Sequence, residues 1–220
     1  MTRYQDLKPA LLFLALTIAA ILRCFSVEAA ETQRLVVAGG CFWCVESDFE
    51  SVPGVLGAVS GYTGGSVRNP DYKQVTAGGT GHYEAVEITF DPARVSRESL
   101  LSMFFRSVDP TDAGGQFCDR GESYRTAIFV SNPAEKAAAE AAKSDAQNEL
   151  GQKVVTPILQ ETQFYPAEDY HQDYYKGTSL VLTRFGPRRQ STAYKLYRKA
   201  CKRDERVQEL WGNQAPFVHG

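Results

Sequence analysis

The sequence predicts an α+β chain, a two-layer αβ sandwich whose mixed sheet is covered by helices. Three observations carry this. Short apolar runs and alternating segments take turns with segments whose apolar residues recur every three or four positions. Gly, Pro, Asn and Asp cluster between these segments rather than inside them. No repeat or low-complexity linker divides the 220 residues, so one domain with a sizeable core is expected beyond an N-terminal leader.

The elements follow in order. Leu35-Val36-Val37-Ala38 is a strand, and Gly39-Gly40 leads from it into a helix over 41–51 with apolar residues at 42, 45, 49 and 52. Pro53-Gly54 ends that helix. Residues 55–80, rich in glycine, are expected to be mostly loop with one short strand at the start. Residues 83–90 alternate, with Val86, Ile88 and Phe90 on one side and Ala85, Glu87 and Thr89 on the other. Ser96 then caps a helix over 96–108, and Asp109-Pro110 closes it. A second polar, glycine-rich loop covers 111–123, followed by a strand over 124–130. Asn132-Pro133 starts a helix over 134–150 that stops at Gly151. A last strand is expected over 154–160. The core spans about 35–185. The tail from 164 onward is less regular, with a short helix over 194–203, and such a segment must wrap the surface. Whether it returns Cys201 to the neighbourhood of Cys41 is left open at this stage.

The first thirty residues have the layout of an export signal: Arg3 and Lys8, an apolar stretch over 10–22, then Val27-Glu28-Ala29 with small residues at the −3 and −1 positions. Cleavage after Ala29 is expected, leaving 30–220 as a single exported domain, periplasmic or secreted. The apolar stretch falls short of the about twenty residues a membrane-spanning helix needs, so an uncleaved anchor is the weaker alternative. Arg23 stands where a lipoprotein needs a small residue before its cysteine, which excludes Cys24 as a lipid anchor. A net charge of −2 argues against nucleic acid as a partner, and the basic stretch 184–206 is interleaved with apolar and acidic residues in the manner of a solvated helix face.

The chemistry centres on Cys41. A strand delivers it through two glycines to a helix N-terminus, where unpaired N–H groups and partial positive charge favour thiolate. Cys41 and Cys44 alone could be half of a zinc site, but Cys24, Cys118, Cys201 and the three histidines are scattered. They could also be a thioredoxin-like redox pair. Between them, however, lie Phe42 and Trp43, rings that suggest an apolar substrate pocket. A thiolate attacking an electrophile needs a proton donor. Glu84 beside a strand start is the candidate, with a pKa raised by screening from water, and His82 is its rival. Tyr72, Asp119 and Tyr124 are candidate polar stabilisers from the two glycine-rich loops.

Together these residues resemble the peptide methionine sulfoxide reductase A family. Gly40-Cys41-Phe42-Trp43 matches its signature, Gly81-His82-Tyr83-Glu84-Ala85-Val86 resembles the segment carrying its acid, and the run from Gly115 through Arg125 resembles its second active loop. Tyr165 to Gln172 matches a further stretch. The resemblance implies a ferredoxin-like plait with a long irregular C-terminal segment. It implies that Cys41 attacks the sulfur of methionine-(S)-sulfoxide, free or in oxidised proteins, while Glu84 protonates the oxygen, leaving Cys41 as sulfenic acid. Phe42 and Trp43 would bind the substrate methyl, Tyr72 and Tyr124 its oxygen, and Asp119 would order the site. A second cysteine would resolve the sulfenic acid: Cys201 or Cys44 on equal terms, with Cys118 behind. An external dithiol, thioredoxin-like, would regenerate the enzyme. No metal, nucleotide or flavin is implied, and a monomer is expected.

Overall fold

The computed structural model describes residues 31–218. The leader over 1–29, its cleavage site after Ala29 and Cys24 lie outside the described residues. Among the described residues no helix is long and apolar enough to cross a membrane.

β1 (Gln33–Gly39) turns through Gly40 and Cys41 into α1 (Phe42–Glu50), and the chain returns as β2 (Val55–Thr63). A short helix α2 (Tyr72–Ala77) precedes β3 (Tyr83–Phe90) and α3 (Arg97–Phe105). Two-residue strands β4 (Gly115–Gln116) and β5 (Asp119–Arg120) form a small hairpin before β6 (Thr126–Val130) and α4 (Pro133–Leu150). β7 (Ile158–Gln160) and β8 (Tyr165–Pro166) complete the main sheet. The tail contains the ribbon β9 (Leu180–Thr183) and β10 (Gly186–Arg189), then α5 (Gln190–Ala200) and α6 (Arg203–Trp211).

The six-stranded sheet runs β7-β6-β1-β3-β2-β8. All neighbours are antiparallel except β6 and β7, which are parallel. Alternation explains the two faces. Leu35 and Val37, Val86, Ile88 and Phe90, and Ile128 and Val130 share one core with Phe42, Val45 and Phe49 of α1, Leu101 and Phe104 of α3, and Ala139 of α4. The intervening Val36, Ala38, Ala85, Ala127 and Phe129 form a smaller core on the reverse face, closed by Tyr83 and Phe164. Helix ends fall where capping chemistry puts them. The Ser96 hydroxyl accepts from Ser99 N–H and the Asn132 amide oxygen from Glu135 N–H, while Gly151 ends α4 at φ 62°.

Several expectations are corrected. The short strand expected at residue 55 is a nine-residue strand paired along β3 to Thr63. Its Gly57 and Gly61 lower strand propensity, but the β3 ladder overrides it. The strand expected over 154–160 pairs only at Ile158–Gln160. The helix expected over 194–203 begins earlier, at Gln190, and stops at Ala200. Lys202, with φ 55°, then turns the chain into a second helix that the sequence reading lacked. This tail is built into the protein rather than wrapped over it, for Val207, Trp211 and Phe217 join the main core.

Candidate active site

Gly40 has φ 81°, and a Cβ there would stand 2.5 Å from the Gln116 Cβ, so only glycine fits the step from β1 into α1. Gln116 is wholly buried and fixed by Asp109, whose N–H it accepts and whose carbonyl it donates to, each at 2.8 Å. Cys41 is the N-cap of α1. An N-cap side chain folds back over the first turn, toward the third helical residue. That residue is Cys44, whose backbone N–H donates to the Cys41 carbonyl at 3.0 Å, while the Cys41 side chain makes no capping hydrogen bond.

A cavity of about 390 Å³ opens above this turn. Its walls bring together ten of the residues proposed from sequence for the site, all but His82: Cys41, Phe42, Trp43, Cys44, Tyr72, Glu84, Cys118, Asp119, Tyr124 and Cys201. His82, the rival acid, is elsewhere. Its Nδ1 accepts from Gly65 N–H at 3.2 Å and its Nε2 lies 2.8 Å from the Val67 carbonyl, so it is a buried loop brace.

Glu84 is 2 % exposed, and its Oε2 accepts the backbone N–H of Phe42 at 3.1 Å. Burial pushes its pKa up to about 8, against the opposing effects of that N–H and of the Tyr124 hydroxyl. At neutral pH the carboxyl keeps its proton. Asp119 is also shifted upward by burial, with Arg203 and Arg184 opposing. Burial raises the phenols of Tyr72 and Tyr124, so both remain O–H donors.

The sulfur pair departs from expectation. The Cys41 thiol is pushed well up by its hydrogen bond to Cys44, by burial, and by the negative charge of Cys44, Glu84 and Asp119. Cys44 is lowered to about 7 by the hydrogen bond from Cys41, helped by Arg203 and Arg198 and opposed by burial. The helix N-terminus is present, but the neighbouring Cys44 sulfur and burial outweigh its dipole.

Other residues in and behind the cavity wall were not foreseen. The Tyr174 ring stacks on Trp43 at 3.8 Å and 6°. His171 packs against Phe42 and Trp43, its pKa lowered to about 4 by burial. Asp173 holds this segment through its N–H to the Glu46 carboxylate, 2.6 Å, and that carboxylate also accepts the Ser60 hydroxyl. The aromatic run around Tyr174-Tyr175 was the available signal. Arg203 had none: it is 2 % exposed and donates to the Gly39 and Ser107 carbonyls at 3.1 and 2.8 Å, with its guanidinium over the Phe117 ring. Arg198 pairs with buried Asp48 at 2.7 Å. Cys118 and Cys201 form a disulfide, with Cα atoms 4.9 Å apart, while Cys41 and Cys44 are free.

A paired thiol beside a protonated carboxyl, two phenol donors and an apolar ring wall defines a thiol oxidoreductase acting on a small polar group that carries an apolar substituent. Comparison with known proteins makes this specific. Residues 33–214 match the family model for peptide methionine sulfoxide reductase. The chain is 46% identical over 205 residues to "Peptide methionine sulfoxide reductase MsrA 2" of Rhizobium meliloti, covering 92% of this chain and 96% of that one. It is 47% identical over 188 residues to the protein of the same description from Caulobacter vibrioides, covering 85% and 89%. Among solved structures it is similar to reduced Mxr1 from Saccharomyces cerevisiae, with a TM-score of 0.64 and 29% identity over 68% of this chain and 87% of that one. Methionine sulfoxide reductase A of Corynebacterium diphtheriae gives a TM-score of 0.60 and 29% identity, covering 68% and 76%. The chain belongs to the peptide methionine sulfoxide reductase family. It is a thiol-dependent peptide-methionine (S)-S-oxide reductase, an enzyme of protein repair.

Proposed function

We propose that Cys41 is the nucleophile and Glu84 the proton donor in reduction of methionine-(S)-sulfoxide. The observation that carries this is the buried Glu84 carboxyl, held by the first N–H of the helix that Cys41 caps and still protonated at neutral pH. Tyr72 and Tyr124 hydrogen-bond the sulfoxide oxygen, and Glu84 transfers its proton there, which makes the sulfur electrophilic. The Cys41 sulfur forms its bond to that sulfur as its proton passes to neighbouring Cys44, whose pKa is lowered to about 7. Collapse releases methionine and leaves Cys41 as sulfenic acid. Phe42 and Trp43 enclose the methyl group. A tetrahedral sulfur places oxygen on the phenols and methyl on the rings in one hand only, which rejects the other epimer.

Free methionine sulfoxide and oxidised proteins both serve as substrates. Leu182, exposed at the cavity mouth, supports contact with apolar residues beside an oxidised methionine. The enzyme acts as a monomer and is regenerated by an external, thioredoxin-like dithiol. The N-terminal layout supports export with cleavage after Ala29. The order β6-β1-β3-β2, with α1 and α3 as crossovers, supports reading the fold as a ferredoxin-like plait.

The test is turnover of each sulfoxide epimer with dithiothreitol. The parent should convert only the S epimer, and Cys41→Ala should abolish conversion. Equal use of both epimers, or activity in Cys41→Ala, would overturn the assignment.

A further inference from the structure

The ribbon of β9 and β10 reaches the rim of the cavity, where Leu182, Thr183 and Arg184 form part of the wall. Val181 packs inward against the cluster of Tyr194 and Tyr197. Leu180 and Leu182 therefore share the opposite face of β9, and they are 74 % and 86 % exposed. The turn of the ribbon is braced. Thr183 Oγ1 donates to the Gly186 carbonyl and accepts the Phe185 N–H, while the Arg184 guanidinium lies over the rings of both Phe185 and Tyr197.

The two edges of the ribbon are unlike. Gln190 N–H donates to the Ser179 carbonyl at 3.0 Å, and bonded and non-bonded pairs alternate along an antiparallel ladder. Leu180 with Arg189 and Leu182 with Pro187 are therefore the non-bonded pairs, whose N–H and C=O groups point outward. On β10 that edge is nearly closed. Pro187 has no N–H, its carbonyl accepts from Arg188 Nη1 at 2.8 Å, and the Arg189 carbonyl serves the first turn of α5 as its N-cap. On β9 the edge is open. Leu180 and Leu182 each present an N–H and a C=O, and among the described residues β9 pairs with β10 alone.

We infer that the open edge of β9 takes the backbone of an oxidised protein as a third strand, an extended segment whose methionine sulfoxide side chain enters the cavity beside Leu182. This rests on the reading of the cavity as the sulfoxide site. Continuity carries it, because the strand with the free edge ends in the cavity wall of an enzyme whose family acts on peptides. Main-chain pairing accepts any sequence, which a repair enzyme needs. The exposed Leu180 and Leu182 side chains add a preference for apolar residues at two alternate positions on one side of the methionine.

The full chain is assayed with dithiothreitol on free methionine-(S)-sulfoxide, on a short peptide with valines on both sides of one methionine-(S)-sulfoxide, and on that peptide N-methylated at one residue at a time. The unmodified peptide should have a lower KM than the free amino acid. N-methylation should raise KM about two- to tenfold, the worth of one hydrogen bond, at alternate residues on one side of the methionine, and should do little at the residues between. Leu180→Ser should raise KM for the peptide more than for the free amino acid. An N-methyl series with no alternation, or a Leu180→Ser variant that changes both substrates alike, overturns strand addition while leaving the sulfoxide reading intact. Loss of the variant from phosphatidylglycerol vesicles that retain the parent, with peptide kinetics unaltered, assigns the ribbon to a lipid surface and also overturns it. No turnover of any of these substrates overturns the sulfoxide reading and strand addition together.

Discussion

Replacing Glu84 by Gln should make the protein slower and, at alkaline pH, more stable. The unperturbed carboxyl titrates near 4.5 and the buried one near 8. Because the folded value lies above the unfolded one, its contribution to stability is complete below about pH 4.5 and drains away as the pH rises to about 8. Each pH unit in that window withdraws about 1.4 kcal/mol, so roughly 4 kcal/mol is gone near pH 7.5. A Gln side chain keeps an oxygen for the Phe42 N–H and has no proton to lose. Urea unfolding at pH 5 and pH 8 should therefore show parent and variant alike at the lower pH and the variant more stable at the higher. The difference between the two proteins isolates Glu84 from Glu46, which is also pushed up, to about 7. Turnover with dithiothreitol should fall by about 10²–10⁴, the usual share of general acid catalysis. The parent rate should itself decline above about pH 8 as the proton is lost. A variant that turns over at the parent rate, or that loses stability at pH 8, would refute the reasoning.

Three further outcomes are expected. Trp43→Ala should raise KM and remove a stacked pair worth about 0.5–1.5 kcal/mol beyond its burial, so thermal melting should show a drop of a few degrees rather than unfolding. Glu46→Ala leaves the Asp173 N–H and the Ser60 hydroxyl without their acceptor; it should cost about 1–3 kcal/mol in urea unfolding and, by freeing Tyr174, raise KM more than it lowers kcat. Arg203→Met strips two buried carbonyls of their donor and should destabilise the protein by about 3–5 kcal/mol, read as a lower urea midpoint.

The sheet and its helices were largely legible because their signals are local. Ser96 and Asn132 announce helix starts, Gly151 announces a stop, and the alternation at 83–90 needs no partner to be seen. β2 was underestimated because its glycines are tolerated only through pairing with β3, a long-range effect. The tail was misjudged for the same reason. Arg198 and Arg203 read as solvated charges, yet both are buried by partners more than ninety residues away, Asp48 and the Ser107 carbonyl. At the site, residue types revealed Cys41, Glu84 and the two rings. The sign of the Cys41 shift was not legible, since it depends on how near Cys44, Glu84 and Asp119 come to one sulfur.

Arg203 follows the Gly39 it holds by 164 residues, and that separation has a consequence for biosynthesis. The strands of the main sheet, the crossover helices and Cys41 are translated before the arginine that steadies the Gly39 turn. At a synthesis rate of about 5–20 residues per second, the Gly39 turn waits roughly 8–33 s for the arginine that steadies it. Val207, Trp211 and Phe217 join the main core in the same late stretch, so the core and the brace of the Gly39 turn are completed together.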